Sequence, residues 1–365
     1  MILILPVLLG EGVSAKIVFD TGWGGPIALD SLFCATNPII KLNSPDSLIK
    51  IGSSWSPSHL DVSGSFYKIF QTVKVGEEIL TYQDLRVFNY KTYFNTDADG
   101  IIGLPFQDTT HVWELNFEHN YLEIHQANGF KMPKNCYTLP LHGNVEVQFP
   151  MQIEYSDGDT ITVDGKYTID TGMPQDIVLV HPTKEEIDFF NKRDDAVWVS
   201  LGSAGYYIRH TVTSRLFNDF IADSLRIYTL DNSRRIHSER LIGQNFLKRF
   251  NVYFDLKNSQ LGLQPIKNFK RIVNPNGRRY YFSIKYSPSG QLIVDHIADF
   301  KDNPYYEAGV RTGDEFFMIN GKIRKNLTYE DGIELINADT LRSVFLKDGG
   351  EQITVVIDKN YDQED

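Results

Sequence analysis

Asp20-Thr21-Gly22 and Asp170-Thr171-Gly172 stand 150 residues apart, each at the end of a strand-like run, Lys16-Ile17-Val18-Phe19 and Lys166-Tyr167-Thr168-Ile169. Two carboxyl groups held face to face can hydrolyse an amide without a metal or a covalent intermediate. One, as carboxylate, takes a proton from water while the other, as acid, polarises the carbonyl. Like charges that close cannot both ionise, so the pair holds one proton and titrates as a unit. The neighbouring residues suit such chemistry, since glycine allows a tight turn and close approach of a partner loop, and a threonine hydroxyl can bridge two backbones. Either tripeptide alone is more simply a tight turn whose aspartate caps nearby amides. Two copies with matched surroundings outweigh that account.

The surroundings do match. Each tripeptide is followed by an apolar run, Pro26-Ile27-Ala28-Leu29 or Ile177-Val178-Leu179-Val180, and later by two apolar residues and a glycine, Ile101-Ile102-Gly103 or Leu241-Ile242-Gly243. The spacing from aspartate to that glycine is 83 residues in the first copy and 73 in the second, a difference that loop insertions absorb. A strand-turn-strand pattern closes each copy, 115–124 and 252–263. The repeat therefore spans whole lobes. Between these landmarks short runs of Val, Ile, Tyr, Phe and Thr alternate with Gly, Asp, Asn and Ser, which predicts β-rich lobes. Asp157-Gly158 predicts a hairpin. Segments 131–135 and 265–275 read as connectors.

The 365 residues suffice for two or three packed domains. With 47 acidic against 36 basic residues and a net charge of -11, the chain lacks the electrostatics of a nucleic-acid binder. Cys34 and Cys136 form no CxxC pattern, and the nine histidines show no ligand spacing, so no metal site or cofactor is expected. HExxH, GxSxG and phosphate-binding glycine motifs are absent. The apolar run 2–9 reads as a strand that the first tripeptide requires; it has no basic start and is too short to span a bilayer.

From about residue 276 the pattern changes. Ala308-Gly309-Val310, Gly313-Asp314 and Ile319-Asn320-Gly321 set turns around a short strand, Thr328 and Asp331 form a capping box, and Tyr329, Ile333 and Ile336 share a helical face. The strand-like run 352–357 follows. Asn326-Leu327-Thr328 fits a glycosylation sequon, but the helix cap is sufficient reason for Thr328.

On these motifs, residues 1–268 resemble the pepsin and retropepsin class of aspartic peptidases, most closely the bacterial type with a C-terminal PDZ domain. The resemblance implies a mainly β chain of two pseudo-symmetric acid-protease barrel lobes, 1–133 and 134–268, followed by a PDZ-like α+β module, 272–365. It implies an Asp20/Asp170 dyad, supporting loops at Thr21, Gly22, Thr171 and Gly172, and structural glycines at Gly103 and Gly243. Such a chain is expected to act as a monomeric endopeptidase on extended peptides, without a cofactor, in the periplasm or at the cell surface behind an export signal. Trp23 and Met173 stand where the class has Ala or Ser. They are candidate cleft residues, as are Trp55 and Tyr206 in the two segments that would form mobile covers, 52–55 and 202–207. The alternative is an inactive peptide-binding protein in which Trp23 and Met173 block the water. In the PDZ-like module a protein C-terminus would add as a strand. Tyr280, Tyr281 and Phe282 would form the carboxylate loop, Ser283 to Tyr286 with Ile284 the docking strand, and Ile333 and Ile336 the facing helix wall.

Overall fold

In the first lobe, alternating apolar residues bury one face of each of two opening strands, β1 (Ile4–Leu9) and β2 (Val13–Phe19), which pair as an antiparallel hairpin. Leu5, Val7 and Leu9 point inward with Val13, Ala15 and Ile17. β3 (Ile27–Asp30), β4 (Ser47–Ile51), β5 (Val62–Val75), β6 (Glu78–Phe88) and β7 (Gly100–Ile102) complete a sheet ordered β1-β2-β7-β3-β6-β5-β4. An additional β1–β5 pairing closes six of these strands into a barrel. β7 lies between β2, to which it is parallel, and β3, to which it is antiparallel. Covered on both faces, it is apolar throughout and fully buried.

The computed structural model describes residues 3–10, 12–37, 42, 44–51, 62–91, 96–105, 108–143, 145–155, 157–190, 197–200, 206–217, 219–230, 240–267, 269, 282–287, 290–297, 303–327, 340–347 and 350–358. After β8 (His111–Asn116), β9 (Tyr121–Gln126) and β10 (Tyr137–Pro140), the second lobe repeats the first. Its strands are β11 (Glu146–Glu154), β12 (Thr160–Asp170), β13 (Ile177–Leu179), β14 (Val197–Ser200), β15 (Tyr206–Leu216), β16 (Phe220–Leu230) and β17 (Arg240–Gly243). Their order, β11-β12-β17-β13-β16-β15-β14, is that of the first lobe, and a β11–β15 pairing closes the barrel in the same place. The chain is thus mainly β, with two closed six-stranded barrels in pseudo-symmetric arrangement. The Asp157-Gly158 hairpin forms as the sequence predicts: Gly158 takes φ +87° between β11 and β12, a conformation that favours glycine.

A separate five-stranded sheet, β10-β19-β18-β8-β9, uses β18 (Phe250–Asp255) and β19 (Gln260–Pro265) and draws strands from both copies of the repeat. At its centre β8 runs antiparallel to β18, with Glu114 opposite Tyr253 and Trp113 opposite Phe254. Two short helices, α1 (Ser31–Thr36) and α2 (Lys184–Phe190), follow β3 and β13. Asp30 caps α1 through the Leu32 and Phe33 amides. Thr183 and Glu186 cap α2 reciprocally: Glu186 accepts from the Thr183 amide at 2.7 Å, and Thr183 accepts from the Glu186 amide at 3.2 Å.

Two compact units result, the first built on Met1–Ser53, Leu60–Asp194 and His210–Arg271, the second on Ser54–His59, Asp195–Arg209 and Ile272–Asp365. In the second, β20 (Phe282–Tyr286), β21 (Leu292–Ile297), β22 (Glu315–Ile319), β24 (Thr340–Leu346) and β25 (Gln352–Asp358) form a sheet in that order, with β23 (Lys322–Ile323) beside β22. Its core is aromatic: Phe282, Tyr305, Phe316 and Phe345 are buried, with Phe282 edge-on to Tyr305 at 4.6 Å between centroids. Gly309, Gly313 and Gly321 all take positive φ, at the turns the sequence predicts. The expected helix containing Ile333 and Ile336 lies outside the described residues.

Candidate active site

Asp20 follows the last residue of β2, and Asp170 is the last residue of β12. In each lobe a carboxylate therefore emerges where the strand leaves the barrel beside the apolar-apolar-Gly strand. Asp170 lies opposite Gly243 in the β12–β17 register, and the Asp20 amide donates to the Ile102 carbonyl at 2.9 Å. The two glycines must lack side chains: a Cβ on Gly103 would run into the Trp23 carbonyl, and one on Gly243 would meet the Gln175 carbonyl and the Met173 carbonyl. Backbone and loop thus close on one another without room for a methyl group.

The two loops grip each other through their threonines. The Thr21 amide donates to Thr171 Oγ1 at 3.0 Å, and the Thr171 amide donates to Thr21 Oγ1 at 3.1 Å. Each hydroxyl in turn donates across the pseudo-twofold axis, Thr21 to the Ile169 carbonyl at 2.7 Å and Thr171 to the Phe19 carbonyl at 3.1 Å. Both threonines are 1% exposed, so these four bonds face no competition from water. Behind the grip, Phe19 stacks on the fully buried Trp113 with centroids 5.3 Å apart, which anchors β2 to β8.

This arrangement brings the carboxyl groups of Asp20 and Asp170 against each other, close enough to share a proton. The glycines of the two tripeptides make room for it: a Cβ on Gly22 would lie 2.7 Å from Asp170 Cγ, and one on Gly172 would collide with the Asp20 carboxylate. The Gly22 amide donates to Asp20 Oδ1 at 2.8 Å, and the Gly172 and Trp23 amides also favour its ionised form. Burial nevertheless pushes Asp20 above its ordinary value, and burial together with the charge of Asp20 pushes Asp170 well above it. The pair therefore keeps one proton beyond the ordinary carboxylate range, the state in which one group can act as base and the other as acid.

The Trp23 and Met173 side chains are held by other groups. The Trp23 indole donates to the Pro26 carbonyl at 2.7 Å, lies under the Arg86 guanidinium at 5.5 Å, and packs beside a cluster that includes Val18, Phe88 and Tyr90. Met173 is buried, and its terminal methyl lies over Gly243. Trp55 and segment 52–55 lie outside the described residues; Tyr206 opens β15, and its side chain lies outside them as well. Of the PDZ candidates, Tyr281, Ile333 and Ile336 lie outside the described residues, and so does the Ile284 side chain. Phe282 is a core residue, 4% exposed, leaving only its backbone to face a ligand.

Sequence reasoning missed Tyr90, which is buried and whose hydroxyl proton is held by burial and by the charge of Asp20. It also missed the Phe19–Trp113 stack. The histidines show no ligand spacing in the sequence, but in the fold His125 stands with Glu114 and Glu123 in a group of metal-ligating type. Its members come together through strand pairing, which linear spacing conceals. Cys34 and Cys136 are both free thiols. Among the described residues, no helix is long and apolar enough to cross a membrane.

No protein-family model matches the chain, and no curated protein matches it. Architecture alone defines its class: a mainly β chain with two closed six-stranded barrels, which fits a two-lobed acid-protease-like fold.

Proposed function

We propose that the chain is a pepsin-like aspartic endopeptidase. The observation that carries this reading is the reciprocal Thr21–Thr171 grip, which sets the Asp20 and Asp170 carboxyl groups against each other with one proton between them. In the reaction, ionised Asp20 takes a proton from a water as its oxygen attacks the scissile carbonyl, and Asp170 gives its proton to the carbonyl oxygen. The resulting gem-diol breaks its C–N bond as a proton passes to the leaving amine, and the pair returns to a single shared proton. The rival, a binding protein without activity, rests on Trp23 and Met173 crowding the dyad; their side chains are engaged with Pro26, Arg86 and Gly243 instead.

The second unit we read as a PDZ-type peptide-binding module acting in recruitment or regulation. In support, β20, the expected docking strand, lies at the end of its sheet, and among the described residues it pairs only with β21. An edge strand can accept a peptide as an additional strand.

The test is hydrolysis of a diverse peptide mixture from acid to neutral pH, with and without a transition-state-mimicking aspartic-protease inhibitor. Inhibitor-sensitive cleavage by the native chain and none by purified, folded Asp20→Asn and Asp170→Asn supports the assignment. Cleavage by both variants refutes it.

A further inference from the structure

On one face of the five-stranded sheet, β8 and β9 gather three ligating side chains that the dyad does not use. Glu114 of β8 lies directly opposite Glu123 of β9, and His125, two residues further along β9, projects from the same face. One ligating atom of each lies within 4.8 Å of the others. Two carboxylates in direct cross-strand register repel, which a cation held between them offsets.

The inner carboxylate is fixed by its surroundings. Glu114 is buried at 6% exposure, and its Oε1 accepts from Asn116 Nδ2 at 2.9 Å and from the Tyr121 hydroxyl at 3.4 Å, with the Tyr253 hydroxyl, whose nearer acceptor is Gln264 Oε1 at 3.1 Å, beside it. These bonds leave Oε2 to face His125 Nε2 at 2.7 Å. His125 Nδ1 lies 3.6 Å from Glu123 Oε1. A buried carboxylate oriented by donors on one oxygen, with the other turned to an imidazole nitrogen, has the form of a metal ligand with its supporting shell in place.

We propose that Glu114, Glu123 and His125 bind a divalent first-row transition ion, best zinc. A mixed imidazole and carboxylate set suits zinc, whereas calcium and magnesium favour oxygen-only sets. Ligands about 2 Å from a tetrahedral ion lie roughly 3.3 Å apart, so His125 and Glu114 must part by roughly half an ångström, and Glu123, whose exposed carboxylate now faces the other imidazole nitrogen, must swing to the Nε2 side to join them. His125 has that freedom: β9 is the outer strand of the sheet, and the side chain is 25% exposed. The ion replaces any proton that His125 and Glu114 share, which leaves to solvent, and water completes the coordination. Because Glu114 lies opposite Tyr253 of β18, the ion sits beside the strand pair at the centre of the sheet.

The test is calorimetric titration of the full chain with zinc chloride, with calcium and magnesium chlorides as comparisons. Expected is one equivalent of zinc that Glu123→Gln and His125→Asn weaken and calcium does not replace. Tyr121→Phe, which removes a donor to Glu114 and an acceptor for Asn116 but no ligand, is expected to weaken it about 10- to 100-fold. Cobalt is expected to give visible absorption bands that Glu123→Gln abolishes. Glu123 is 54% exposed, so that variant keeps its fold and remains informative if His125→Asn does not. Equal zinc binding by the native chain and Glu123→Gln, or no binding by the native chain, overturns the proposal. Peptide hydrolysis is read separately, so failure here leaves the dyad assignment untouched.

Discussion

Thr21 and Thr171 exchange amide-to-hydroxyl hydrogen bonds at 3.0 and 3.1 Å across a separation of 150 residues. The exchange is symmetric because the two tripeptides are, and each hydroxyl both accepts from the opposite amide and donates to the opposite strand.

Replacing either threonine by valine leaves a buried amide and a buried carbonyl without partners. Thr21→Val or Thr171→Val is expected to lose about 1–3 kcal/mol of stability, measured by urea denaturation, together with most of the peptidase activity. Thr→Ser at the same positions keeps the hydroxyl and is expected to stay near the native values. A stable and fully active valine variant contradicts the role assigned to the grip.

The glycines that admit the opposing carboxylates predict a graded effect. Gly172→Ala places a methyl against Asp20 more severely than Gly22→Ala does against Asp170. Displacement of the dyad by about an ångström is expected to cost roughly 100-fold in turnover, with Gly172→Ala the worse. Steady-state kinetics on one peptide substrate checks the order.

The raised Asp170 carboxyl fixes the sign of a pH effect. Folded, it holds its proton above the ordinary value of 3.8; unfolded, it releases it there. The native state thus binds the extra proton between those two values, and that contribution to stability falls as pH rises through the window, by about 1.4 kcal/mol per pH unit. Asp170→Asn removes the larger part of the effect, leaving only what burial does to Asp20. Its melting temperature, relative to the native chain, is expected to climb with pH from about 4 upward; a constant difference across this range contradicts the shift.

Arg240 and Glu186 meet at 2.6 Å with side chains only 6% and 5% exposed. Glu186→Ala strands a buried guanidinium and removes a helix cap, so a loss of about 3–5 kcal/mol is expected. The double variant Glu186→Ala with Arg240→Met is expected to recover part of this loss, since no charge remains buried. Denaturant midpoints for the two variants decide the matter.

The dyad loops and the structural glycines were legible in the sequence because a duplicated fold repeats its constraints at matching positions. Asp20 and Asp170, Gly103 and Gly243, and the Asp157-Gly158 hairpin all carry residue types that few backbone geometries require. Strand positions were legible where β-branched and aromatic residues cluster, as in Lys16-Ile17-Val18-Phe19 of β2, whereas which face of the wholly apolar β1 turns inward was not. The closure of each barrel by β1–β5 and β11–β15 was not, because these contacts are set by register between strands remote in sequence. The Phe19–Trp113 stack and the Glu114–His125 pair escaped for the same cause: an aromatic or a histidine reads alike whatever strand lies beside it.

The central β8–β18 pair also bears on how the chain can be divided. A fragment ending at the connector around residues 131–135 would keep both β8 and β9 but lose the neighbour that β18 gives to β8. One flank of β8 would then carry unsatisfied amides and carbonyls along Val112 to Leu115, the stretch that now matches Asp255 to Val252. A second copy of the fragment offers the same stretch in antiparallel orientation, so half-molecules have a built-in route to association, whereas in the intact chain that route is already occupied.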